Sequence, residues 1–146
     1  MLDPLTLARE EAVNEINPHL MTVATLTGHE VLSYGYYASM MDNGPAKQSG
    51  LTKVIQKAGD EYGQPIEITR LHHEDYAFHA PDCAAADLRQ GNTKPSGSRL
   101  DEHGSDSTHP IPFTHIDMGS CAGDHPSTSY PNPLVALVAG LVIPRT

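Results

Sequence analysis

The chain has 146 residues, 38% of them apolar, with 12 Gly, 12 Pro, two Phe and no Trp; this is one domain's worth of sequence with a thin supply of core residues and many loops. Eighteen acidic against nine basic residues leave a net charge of −9, which excludes nucleic acid as a partner because nothing offsets repulsion by the phosphate backbone. Cys83 and Cys121 stand in neither a CxxC nor a zinc-ribbon spacing and fit a reducing, cytoplasmic setting, while no leader pattern and no apolar run of about 20 residues points to a membrane.

In chain order, "DPLTLAREEAVNEINP" predicts a helix: Asp3 is a candidate N-cap, Pro4 suits the first helical position, and Leu5, Ala8, Ala12 and Ile16 recur at helical spacing. Pro18 takes Asn17 out of the helical region and ends it. In "MTVATLTGHE", Met21 to Ala24 reads as a buried strand, and Thr25 to Gly28 as the place where it stops and opens its backbone. Helix and parallel strand make half of a βαβ unit, and Met1 falls almost on the helix cap, a sign that something upstream is lost. After Gly35 a polar loop leads to a helix from about Pro45 to Ala58, with Leu51, Val54, Ile55 and Ala58 on one face.

"PIEITRL" is a short strand, and "HEDYAFHA" one helical turn capped by Asp75 or the neighbourhood of Glu74. From Asn92 to Pro112 almost no apolar residue occurs, and a loop of about 20 residues is long for a compact domain. "PFTHIDMGS" resumes strand character, and "NPLVALVAGLVI" closes as a buried helix.

"ATLTG" at a strand end, then "AADLRQGN", then "THIDMGSCAGDHP" before a last apolar helix resemble, in that order, the C-terminal portion of the leucyl aminopeptidase (cytosol aminopeptidase) family, and most closely its aminopeptidase-like animal branch. The resemblance covers most of residues 1–146. It implies an α/β catalytic domain with a mostly parallel central sheet flanked by helices, a homo-hexamer, and a hydrolase that uses two divalent metals, zinc or manganese, to release N-terminal residues from peptides. By this likeness Leu26 offers its backbone carbonyl, Thr25 and Gly28 shape the track of the substrate main chain, and Gly119 and Ala122 line the pocket for the first side chain. These are tasks of shape, which is why the strand end needs no reactive side chain.

The family's metal ligands, and its catalytic lysine and arginine, lie upstream of or within "NTDAEGR", a motif absent from this chain, so no residue here inherits a metal or catalytic role and no metal is expected on this chain alone. Around 93–112, and most plainly between Pro95 and Leu100, relatives have an alanine-rich helix where this sequence has "SGSR". The expectation is an internally shortened piece of an aminopeptidase, inactive alone.

Two other readings compete. The chain could be a noncatalytic subunit that docks into hexamers of a full-length relative, or a histidine-rich metal-binding protein. For the latter, His115 and Asp117 share one face of a strand by their spacing of two, and His72, His73 and His79 cluster in sequence, yet no HExxH occurs. The loop "DEHGSDSTH" lacks the pattern of an EF-hand, Asp87 is a loop cap or a supporting carboxylate, and Cys121 has no basic neighbour to activate it.

Overall fold

The computed structural model describes residues 2–78, 83, 110–119, 121–123 and 130–143. The fold is α/β, a mostly parallel four-stranded mixed sheet flanked by helices. Its elements are α1 (Leu2–Ala12), β1 (Leu20–Ala24), α2 (Gly28–Tyr34), β2 (Ser39–Asp42), α3 (Gly44–Ser49), α4 (Leu51–Glu61), β3 (Glu67–Thr69), α5 (His73–Phe78), β4 (Phe113–Asp117) and α6 (Pro133–Leu137), the last continued by a π-helical turn over Val138–Val142. The strand order is β1-β4-β2-β3; β1 runs parallel to β4 and β2 to β3, while β2 and β4 are antiparallel. The carboxyl ends of β1 and β4 therefore share one end of the sheet, and those of β2 and β3 the other.

The two faces of the sheet differ in chemistry. Strand alternation sends Met40 and Ile116 to one side, where they join Ala38, Ile55, Ile66 and Ala136 in the core beneath α4 and α6. The opposite alternates mix the buried polar Ser39, Thr69, His115 and Asp117 with the buried apolar Met41 and Phe113, and Tyr34 Oη of α2 accepts from the Thr69 hydroxyl on this side at 2.8 Å. β4 is buried at all five residues because it is paired on both edges. Its start is pinned by Asn43, whose Oδ1 accepts from the backbone N–H groups of Phe113 and Ala46, both at 3.0 Å, while its Nδ2 donates to Ile111 O. One buried side chain thus caps α3 and sets the register of β4.

Helices α4 and α6 meet over glycine. A Cβ on Gly140 would lie 2.9 Å from Ile55 Cα, and one on Gly59 would lie 2.4 Å from Gln64 O and 3.0 Å from Ala136 Cβ. The backbones approach closer than any larger residue allows.

Several sequence expectations need correction. The first helix ends at Ala12, not near Pro18: the next turns tighten, with Asn14 N–H donating to Glu11 O and its side chain reaching Glu10 O, and Ile16 is 92% exposed. Asn17 does leave the helical region, at φ 53°. The strand from Met21 to Ala24 is only half-buried, with Val23 52% exposed, because β1 is an edge strand. The stretch after Gly35, read as a polar loop, contains β2, buried at Ser39, Met40 and Met41, and α2 before it has no counterpart in the sequence reading. The helix expected over Pro45–Ala58 is two helices, broken at Gly50, whose φ of 72° is left-handed and whose N–H closes α3 on Ala46 O. The final helix is not buried: Pro133, Ala136 and Ala139 face inward, while Leu134 and Val142 are 63% and 71% exposed. β3 and β4 fall where expected, and Asp75 accepts from His72 N–H at 2.7 Å to cap α5. Asp87, His79, the loop "DEHGSDSTH" and all but the last three residues of the long loop lie outside the described residues.

Candidate functional site

Where β1 ends, the chain turns through Thr25, Leu26 and Thr27 into α2, and the neighbouring β4 ends in Asp117. Asp117 is fully buried, and its carboxylate holds this turn. Oδ1 accepts from Leu26 N–H at 3.1 Å, and Oδ2 accepts from Thr27 N–H at 3.0 Å and from the Thr27 hydroxyl at 2.5 Å. Ala24 O accepts from Met118 N–H at 2.9 Å and carries the ladder one step past the strands. Two amides that would otherwise need water are fixed by one buried side chain, which holds the backbone of the turn in place. The Leu26 carbonyl is then held in place by its own peptide unit.

Gly119 approaches the same turn from the β4 side. A Cβ there would lie 3.2 Å from Glu30 Oε2, 3.4 Å from Thr27 O and 3.5 Å from Val31 Cγ2. Glu30 is fully buried in α2, and Cys121, also buried, donates its thiol to Met118 O at 3.5 Å. Burial, followed by the nearby Glu30 charge, pushes the Cys121 thiol up, so it is no thiolate nucleophile. Of the five residues expected to form the floor, Thr25, Leu26 and Gly28 belong to the turn and Gly119 packs against it, while Ala122 is exposed and is not brought to the turn by any described contact. Sequence reading missed Thr27 and Glu30, since a threonine before a helix and an acidic residue in its first turn both look solvated. It considered Asp117 only as a metal ligand.

His115 lies one alternation before Asp117 on the same face, as the spacing required. Its Nδ1 pairs with Thr22 Oγ1 at 2.7 Å, and its buried Nε2 has no hydrogen-bond partner among the described residues. Burial drives its pKa down to about 4 against a weaker upward pull from Asp117, so the ring is neutral. His72 and His73 are exposed at the start of α5. Among the described residues no group of three His, Cys, Asp or Glu side chains converges as a metal site, and Asp117 is already committed to three donors. The residues described do not supply a donor set for a metal pair. Nor, among them, is any helix long and apolar enough to cross a membrane.

No family model matches the chain. It is 66% identical, over 161 aligned positions and 99% of its own length, to a Caenorhabditis elegans protein named "Putative aminopeptidase W07G4.4", and it spans 31% of that protein. An alignment of 161 positions on 146 residues leaves at least 15 positions of the relative without a counterpart here. The fold is also that of a solved structure named "Bottromycin maturation enzyme BotP", at TM-score 0.62 and 19% identity, over 90% of this chain and 30% of that one.

Proposed function

We propose that the chain is the C-terminal segment of a leucyl aminopeptidase-type metallopeptidase, carrying the floor on which a peptide substrate's main chain rests. The observation that carries this reading is the turn held by Asp117. It fixes the backbone of Leu26 and Thr27 at the carboxyl ends of two parallel strands, where α/β proteins place ligands, and keeps Gly119 free of a side chain beside it. The name of the worm relative and the ordered motifs support the aminopeptidase class.

In this account a metal pair, zinc or manganese, supplies activation of water and polarisation of the scissile carbonyl, and the residues that hold it belong to the two-thirds of the relative that this chain does not span. This chain's own residues orient: the Leu26 carbonyl accepts from the substrate backbone, Thr25 and Gly28 border the track, and Gly119 and Ala122 bound the space for the first side chain. The shortened region around 93–112, assembly as a homo-hexamer and a cytoplasmic setting belong to the same proposal; the alignment length supports a shortening of the chain without locating it.

Purified chain supplied with zinc or manganese is expected to release no leucine from leucyl-p-nitroanilide. Calorimetric titration with zinc at about pH 7.5, where imidazoles are neutral, distinguishes the histidine-rich metal-binding reading. Weak heat without fixed stoichiometry, unchanged by His115→Ala, is the expected result. A tight one-to-one site abolished by that substitution would replace the peptidase reading.

A further inference from the structure

The opposite end of the sheet is unlike the rest of this acidic molecule. β2 and β3 are parallel and joined through α3 and α4, so their carboxyl ends open on one place. A cleft of about 560 Å³ lies there, walled by Asp42, Lys47, Thr52, Lys53, Glu67 and Arg70 among others. The described cations of the chain are Arg9, Lys47, Lys53, Lys57 and Arg70, and three of these five stand on this cleft. Lys57 is engaged with Glu61 at 4.0 Å, whereas Lys47, Lys53 and Arg70 form no ion pair with a described residue. Of the two carboxylates on the wall, Asp42 receives the Thr52 and Thr114 hydroxyls, one on each oxygen, at 2.5 and 2.7 Å, and Glu67 is exposed.

Three like charges gathered in a protein of net charge −9, without an ion-pair partner among the described residues, repel one another, and an anion seated among them removes that repulsion. We propose that this cleft binds a compact oxyanion, inorganic phosphate or a small phosphate monoester, through Lys47, Lys53 and Arg70. The planar fork of arginine can take two oxygens of one phosphoryl group while the two ammonium groups neutralise the rest of its charge. The site lies at the far end of the sheet from the Asp117 turn and does not depend on the aminopeptidase reading.

Equilibrium dialysis of the whole chain against radiolabelled inorganic phosphate, at fixed ionic strength, tests this and tolerates any self-association. One phosphate per chain is expected. Arg70→Gln and Lys53→Gln, each removing one charged contact from an exposed position, should weaken binding about tenfold. Lys57→Gln, outside the cleft, should not change it, and Glu67→Gln should tighten it. Absence of bound phosphate, or binding indifferent to Arg70→Gln, overturns the proposal. Competition with glycerol 3-phosphate separates the sources: displacement at lower concentration than inorganic phosphate assigns an ester, and at higher concentration the free ion.

Discussion

Asp117 connects strand pairing to site geometry, because its three donors lie some 90 residues earlier in the chain. Asp117→Ala leaves the Leu26 and Thr27 amides without their acceptor, and we expect it to cost about 2–4 kcal/mol. Amide hydrogen exchange should show the loss locally, as faster exchange at Leu26 and Thr27 than in β3. Equal protection in both proteins would mean that the carboxylate does not hold the turn. Such a clasp is invisible in one sequence: alternation puts His115 and Asp117 on one face, but no local pattern says which distant amides that face will meet. His115 gives a pH dependence of definite sign. The unfolded ring binds a proton below its ordinary value of 6.5, the buried ring only near 4, so the unfolded state holds more protons in that window. Stability is full above about pH 6.5 and falls as pH drops towards 4, by up to about 3 kcal/mol from this residue. His19, lowered by its own burial against the pull of Asp42, adds a contribution of the same sign. Urea unfolding at a series of pH values should show a shallower slope in His115→Gln than in wild type.

At the scale of elements, the legible parts were those with either strong periodicity or a breaker. α4, with Ile55 and Ala58 inward, and β4, with its apolar and β-branched residues, could be read directly. β2 could not, because "SMMD" is too short to show alternation and its burial comes from β3 and β4, distant in sequence. Gly50 was the signal for the break between α3 and α4, legible only once its left-handed φ is known. The exposure of the last helix was misread for a related reason: an apolar stretch does not reveal how many of its sides are covered. What α6 and its π-helical turn do cover is α4, through Gly140 and Gly59. Gly140→Ala, whose new methyl would meet the Ile55 backbone, is expected to cost about 1–3 kcal/mol. Gly44→Ala, which meets nothing within 4 Å, serves as control, and equal thermal midpoints for the two variants would refute the close packing described.

At the scale of the whole molecule, an apolar surface remains open. Leu134, Leu141, Val142 and Ile143 are exposed along the last helix, Leu32 is 90% exposed on α2, and β1 is an edge strand with Val23 outward. An unpaired strand edge and exposed apolar side chains favour association. The isolated chain is expected to elute above its monomer mass and to bind a hydrophobic dye; a sharp, cooperative thermal transition from a monomer would show that this surface does not drive association.

Under the function proposed above, this chain would shape a peptidase site whose metal chemistry belongs to the part of the relative it does not span. The direct measurement is leucine release from leucyl-p-nitroanilide, with manganese or zinc, by three samples: the chain alone, the chain fused to the portion of the worm relative that it does not span, and the same fusion carrying Asp117→Asn. The chain alone should release no leucine, the fusion should release it, and the Asp117→Asn fusion should release about tenfold less, a loss of roughly 1.4 kcal/mol in transition-state stabilisation. Turnover by the chain alone, or a fusion indifferent to Asp117→Asn, would contradict the proposed function.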